Sequence, residues 1–255
     1  MINAFEESTS LAAKLITEAN NVVILSGAGL STPSGIPDFR SAKTGMWETN
    51  DPMQVASLSA FRYRPNDFFT WLKPLSEKIY YAKPNAAHTA LATLEQIGKI
   101  KAIVTQNIDC LHQKAGSNNV IEVHGSIANL ECPKCVSSTP FDEVLMQNFI
   151  KDFSIPTCEQ CGSNLKPSIT LFEEMLPYDA WNLATHHFEY ADLVIVVGSS
   201  LEVSPANQLP MIGKSNGAKL IINTLSTTHL DSRANLLINY DVVAVWKSIL
   251  DKFPI

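Results

Sequence analysis

No stretch of this chain approaches 18 consecutive apolar residues, so no membrane-spanning helix is expected. A basic excess is also missing. The 19 Lys and Arg against 25 Asp and Glu leave a formal net charge of −6, the wrong sign for direct nucleic-acid binding. The first residues, MINAFEESTS, are acidic and polar rather than basic and then apolar. Neither a secretory signal nor an Arg-rich transit peptide is expected from them, and the expected location is cytoplasmic. Internal repeats and low-complexity tracts are absent. Nothing in the sequence demands assembly, so a monomer is the default. Charged residues are few, at 17%, while 45% of the 255 residues are hydrophobic. That composition supports a buried core in one large domain, or in one domain with a small insert.

Cysteine is sparse but organised. Cys132 and Cys135 form one Cys-x-x-Cys pair and Cys158 and Cys161 another, with 22 residues between the pairs, and Cys110 stands alone. In a chain without a signal sequence, this spacing reads as tetrahedral zinc rather than as disulfides. Four thiolates close the coordination shell, so the zinc is expected to be structural, leaving no position for a catalytic water. The alternative is two redox pairs. Around the cysteines, from about 129 to 167, prolines and short apolar runs suggest a small module inserted into a larger domain.

The apolar run Val22 to Leu25 leads into Gly27, Ala28 and Gly29. A strand entering a glycine-rich turn lets backbone amides approach a diphosphate. The third glycine of the usual dinucleotide fingerprint is replaced by Thr32, so this loop alone is weak evidence. Further strands are expected over 101–105, 121–123, 191–197 and 218–222, with a last strand and a short helix within 241–250. Helices are expected over 6–19, 65–80, 84–97 and 178–190; Pro84 and Asn85 are start signals, and Pro74 should bend or break its helix. Alternating strands and helices, with polar residues at the strand ends, describe an α/β fold: a doubly wound parallel sheet, Rossmann-like, with a ligand crevice at its carboxyl edge. The large part is expected at about 1–35, 84–128 and 178–255, the zinc module at 129–167, and a mobile cofactor loop with a helical part at 36–83. Thr44 to Trp47 are assigned to that loop. Among the histidines, His124 ends a strand beside the glycine loop's presumed ligand and suits a general base working near neutral pH. His88, His112, His186, His187 and His229 are read as packing or surface groups.

Ser26-Gly27-Ala28-Gly29-Leu30-Ser31, followed by Gly35-Ile36-Pro37-Asp38-Phe39-Arg40-Ser41, resembles the nucleotide site of the sirtuins, the NAD-dependent protein lysine deacylases. The resemblance continues at Thr105 to His112, Val123-His124-Gly125, both cysteine pairs, and Gly198 to Pro205, in order across most of the chain. It implies NAD+ as co-substrate, structural Zn2+, and an acyl-lysine protein substrate in a cleft near Phe172. It further implies His124 as general base on a ribose hydroxyl, and Asn107 orienting the ribose and a water. Cofactor contacts are implied for Gly27, Ala28, Gly29, Ser31, Asp38, Phe39, Arg40, Gln106, Asn107, Ile108, Asp109, Gly198, Ser199, Ser200, Asn223, Thr224 and Val242. Products would be deacylated lysine, nicotinamide and O-acyl-ADP-ribose. An NAD hydrolase or a protein ADP-ribosyltransferase could use the same nucleotide site, and a nucleotide-sensing module without turnover is a rival of another class.

Three departures from the family pattern bear on substrate and cofactor. Glu173 stands where a Gly often precedes the second Glu, and is expected to add bulk and charge to the peptide cleft. Tyr240 replaces a Gly beside Asp241, which bears on the adenine contact at Val242. Leu72 and Leu75 align with the Tyr and Arg that pair acidic acyl groups in the desuccinylase branch. An apolar pocket would leave a carboxylate unpaired, so neutral acyl groups, acetyl or somewhat longer, are expected.

Overall fold

The computed structural model describes residues 4–38 and 51–254. Phe39, Arg40, Ser41 and the segment Thr44 to Trp47 lie outside the described residues. In chain order the helices are α1 (Ala4–Glu18), α2 (Pro52–Val55), α3 (Leu58–Tyr63), α4 (Pro65–Tyr81), α5 (Ala86–Gln96), α6 (Leu111–Lys114), α7 (Glu143–Asp152), α8 (Tyr178–Glu189), α9 (Leu209–Ser215) and α10 (Val242–Leu250). The strands are β1 (Val22–Ser26), β2 (Ile100–Thr105), β3 (Val120–Glu122), β4 (Gly125–Glu131), β5 (Ser138–Pro140), β6 (Lys166–Ile169), β7 (Leu193–Val197), β8 (Lys219–Asn223) and β9 (Leu236–Ile238).

Six strands form one parallel sheet in the order β3-β2-β1-β7-β8-β9. Chain order therefore reverses between β1 and β7, which is the topological switch point of a dinucleotide-binding sheet. Every residue of β1 and β7 is buried, as expected for strands covered on both faces. One face packs on α1, α5 and α10 through Ile16, Leu91, Val245 and Trp246. The other packs on α8 and α9 through Phe188 and Leu209.

Strands β5-β4-β6 make a separate antiparallel sheet. A third apolar cluster joins α4, through Phe68, Phe69 and Leu72, to Leu130, Phe149 and both buried cysteines, Cys132 and Cys158. The helical segment and the cysteine-bearing segment thus share one core.

Several local expectations are corrected. Helix α4 runs unbroken through Pro74; its buried face, from Phe68 to Ile79, holds the helix in place despite the missing N–H. Within 36–83, where helix was expected only over 65–80, segment 52–63 forms two short helices, capped by the side chains of Asp51 and Ser57. The last strand precedes Asp241 rather than following it. Asp241 accepts the Ala244 N–H and so caps α10.

Candidate active site

The loops after β1 and β7 pack directly on one another. Gly29 N–H donates to the Gly198 carbonyl at 2.8 Å, and Gly27 N–H to that of Val197 at 3.0 Å. Gly198 has φ +62, and a Cβ there would fall 2.2 Å from Leu30 N. These glycines therefore allow two backbones to meet. Of the three loop amides, Gly27 and Gly29 are committed inside the protein, and Ala28 has no partner among the described residues. Asn85, whose side chain caps α5, donates to the Leu30 carbonyl and Ser34 Oγ, and holds the loop from its far side.

Two clefts open at this sheet edge. A polar one of about 550 Å³ is lined by Gly27, Ala28, Gly29, Asp38, Gln106, Asn107, His124, Gly198, Ser199, Ser200, Thr224 and Val242 among the expected residues. An apolar one of about 450 Å³ is lined by Trp71, Leu75, Ile108, Ile169, Leu171, Phe172 and Trp181, with Glu173, Tyr178 and Pro205 also on its walls. Among the described residues, only Gln106, His124 and Val203 belong to both. Ile108, expected at the nucleotide, faces the apolar cleft. Ser31, Asp109 and Asn223 line neither cleft. They are buried behind the wall, and Asn223 is bonded through Nδ2 to the carbonyls of Ile238 and Tyr240. The polar cleft also contains Thr32, Glu202, Leu225, Ser226 and Asp241, none of which had been expected there. Each lies within two positions of an expected residue, as Glu202 does after Ser200 and Ser226 after Thr224, which was the one available signal.

His124 is held at the junction by its backbone and its ring. Its carbonyl accepts the Thr170 N–H at 2.8 Å. The next residue, Gly125, has φ +72, and a Cβ there would lie 2.0 Å from the Ser168 carbonyl oxygen, so the turn out of β3 into β4 requires glycine. The imidazole Nδ1 is 3.0 Å from the Gln106 carbonyl. A carbonyl only accepts, so Nδ1 carries the proton and Nε2 keeps its lone pair. Burial lowers the pKa of His124, partly opposed by the Gln106 bond; the ring is a neutral base at pH 7.

Asn107 Nδ2 donates to the Gly27 carbonyl and to Ser31 Oγ, both at 3.1 Å. Ser31 donates to Asp109 Oδ2 at 2.7 Å, and Asp109 Oδ1 accepts the Leu111 N–H at 2.8 Å. With both amide protons engaged, the Asn107 side chain can offer only its carbonyl oxygen to a ligand. Burial raises the pKa of Asp109 despite these bonds.

Cys132, Cys135, Cys158 and Cys161 bring their Sγ atoms within 4.8 Å of one another. The closest approaches, 3.2 and 3.4 Å, are far beyond a disulfide bond and near the roughly 3.8 Å edge of a tetrahedral zinc–thiolate site. The donor set fits Zn2+. The two turns are built alike: Cys132 N–H donates to the Ser137 carbonyl and Cys158 N–H to that of Ser163, each at 2.8 Å. Each turn has a left-handed residue after its second cysteine, Val136 at φ 57 and Gly162 at φ 69.

Comparison with known proteins assigns this architecture. A profile described as the Sir2 family matches residues 27–205. The chain belongs to the Sir2 family. An NAD-dependent protein deacetylase 1 of Geobacillus kaustophilus is 42% identical over 224 residues, 88% of this chain and 89% of the relative. An NAD-dependent protein deacylase 2 of Archaeoglobus fulgidus is 42% identical over 230 residues, 89% of this chain and 88% of the relative. A Sir2 structure described with a p53 peptide and NAD+ superposes with a TM-score of 0.85 at 39% identity, covering 96% of this chain and 98% of that one. The Sir2 membership agrees with the sirtuin resemblance read from the motifs, and the six-stranded sheet with the expected fold class.

Against that family pattern, Glu173 is explained by its backbone. Its φ of +74 is the left-handed conformation that glycine adopts freely. Its carboxylate Oε2 accepts the Ser59 N–H of α3 at 2.8 Å, so the added charge is engaged at a helix start. Leu75 lines the apolar cleft, whereas Leu72 is wholly buried in the α4 cluster and Trp71 takes the cleft position one turn before Leu75. Tyr240 packs edge-on against Phe5, ring centroids 5.2 Å apart, and leaves Val242 on the polar cleft.

Proposed function

We propose that this chain removes acetyl or other neutral acyl groups from protein lysine side chains in an NAD-dependent reaction, releasing nicotinamide and O-acyl-ADP-ribose. The observation that carries the reading is His124, a neutral imidazole shared by a polar and an apolar cleft, with Nε2 as its free base. In this reading NAD+ lies in the polar cleft, against Ala28, Gln106, Ser199, Ser200 and Thr224, with Asp38, Phe39 and Arg40 following the loop. The acyl-lysine enters the apolar cleft past Phe172. Trp71, Leu75, Ile169 and Leu171 exclude water from its acyl end and offer an acidic acyl group no cation. Asn107 presents its carbonyl oxygen to the ribose, and His124 Nε2 takes the proton of a ribose hydroxyl as the acyl group transfers to it. Nicotinamide leaves on the Ile108 side, with Asp109 buried behind that wall.

Zn2+ would be held by Cys132, Cys135, Cys158 and Cys161, where it cross-links two turns and supplies no chemistry to the reaction. The expected division into a nucleotide-binding part (about 1–35, 84–128 and 178–255) and a zinc module (129–167) belongs to this reading. It is amended by the core that residues 56–82 share with the module. Thiolate ligands also favour a reducing compartment, the cytoplasm.

The test is to incubate the purified protein with NAD+, with and without an acetyl-lysine peptide, and to follow products by mass spectrometry. Peptide-dependent nicotinamide and O-acetyl-ADP-ribose are expected. Nicotinamide released equally without peptide would replace this reading with NAD hydrolysis.

A further inference from the structure

Two buried histidines take no part in the reaction described, yet one of them leads directly to Asn107. His112 Nε2 lies 2.8 Å from Ser26 Oγ. Ser26 donates in turn to Thr105 Oγ1 at 2.8 Å, and the same Thr105 oxygen accepts the backbone N–H of Asn107 at 3.0 Å. All four residues are buried. Because the Ser26 proton points to Thr105, Ser26 can only accept from His112, which must carry its proton on Nε2. Its Nδ1 is then a bare lone pair, buried without a partner among the described residues.

His88 supplies the matching half. Its Nδ1 accepts the Asn85 N–H at 3.4 Å, so its proton also sits on Nε2, buried and unpaired. The two rings meet edge to face, centroids 5.1 Å apart. Among the described residues neither His88 Nε2 nor His112 Nδ1 has a hydrogen-bond partner, so the tautomer of each ring is set by its other nitrogen. Burial brings the pKa of His88 to about 4 and that of His112 to about 3, so both rings are neutral in the working range. Asn85 also bonds the glycine loop. The pair therefore lies between the two segments, 27–34 and 105–109, that frame the polar cleft.

We propose that His112, held in one tautomer by its bond to Ser26, is a positioning residue for the deacylation: through Ser26 and Thr105 it fixes the backbone of Asn107 and hence the direction of its side-chain carbonyl. This rests on the proposed reaction, but part of its test does not. Imidazole 15N NMR of the wild-type protein should show both His88 and His112 protonated at Nε2 alone near neutral pH, whether or not any substrate is turned over. An Nδ1-protonated His112, or an imidazolium at that pH, would overturn the inference.

The second arm uses Ser26→Ala, Thr105→Val and the double variant, which alter small side chains and keep both histidines. Each single change should lower kcat about tenfold, as expected for a lost buried hydrogen bond acting on the transition state. KM for the peptide should stay within about twofold. The double variant should be no worse than the poorer single one, because both break the same chain. Multiplicative losses, or unchanged kcat in folded variants of lowered Tm, would overturn the positioning role. A wild-type protein that yields no O-acetyl-ADP-ribose overturns the proposed reaction instead and leaves the tautomer result to decide the network.

Discussion

The two clefts that meet at His124 are built from opposite materials. The polar cleft is walled by backbone and small side chains at the ends of β1, β2, β7 and β8, all in one parallel sheet. The apolar cleft is walled by large side chains from α4, α8 and the segment 169–178. Strand-end positions are fixed by sheet register, so the polar cleft inherits its geometry from the most buried part of the molecule. The apolar cleft inherits its shape from the packing of helices around the cysteine-bearing segment, a separate core. One region is therefore set by topology and the other by side-chain fit.

The largest test of that contrast is His124, one of the residues common to both. His124→Ala should lower peptide deacylation by about 10²–10⁴-fold, the range for a general base, while NAD+ binding measured by calorimetry changes little. Next, removing the metal with a chelator should destabilise the small part by several kcal/mol, since Cys132 and Cys158 sit in the same cluster as Leu130 and Phe149. Hydrogen exchange should then show β4–β6 and α7 losing protection while β1, β7 and β8 keep theirs. Equal loss in both regions would show that the clefts are not independently supported.

A smaller effect comes from pH. Burial holds the pKa of His124 below 6.5, and the active form is the neutral one. Activity should fall as pH drops through an apparent pKa below 6.5; an acid limb with its midpoint at or above 6.5 would contradict it. Glu173→Ala should raise peptide KM about threefold with little change in kcat, because it frees the cleft wall from α3 without touching the polar side. Smallest of all, Val136→Gly should stabilise the protein by about 1 kcal/mol in chemical denaturation. Val136 holds the left-handed position that Gly162 fills in the matching turn.

Much of the polar cleft was legible in the sequence because its residues are local to strand ends. Gly27 to Gly29, Gln106 and Asn107, His124, and Gly198 to Ser200 each follow a strand that could be read from its apolar run. Residues such as Ser31, Asp109 and Asn223 belong to the same motifs but sit behind the cleft wall. Motif membership records that a residue is needed and not which way it faces. The α2 and α3 helices were not legible, since each is only one or two turns long and depends on caps rather than on a periodic face.

By itself, the amino-acid sequence determined the parallel sheet, the glycine loops, the pairing of four cysteines into one cluster and the place of His124 at a strand end. Each follows from a pattern within about ten residues, governed by apolar periodicity, backbone freedom or ligand spacing. Only the tertiary structure decided that the Gly27 and Gly29 amides are used between loops and that Glu173 turns to Ser59. It alone put Trp71 rather than Leu72 on the apolar cleft and joined His112 to Asn107 through Ser26 and Thr105. Those depend on hydrogen bonds and contacts between segments distant in the chain, whose partners are chosen by packing and not by neighbouring residues.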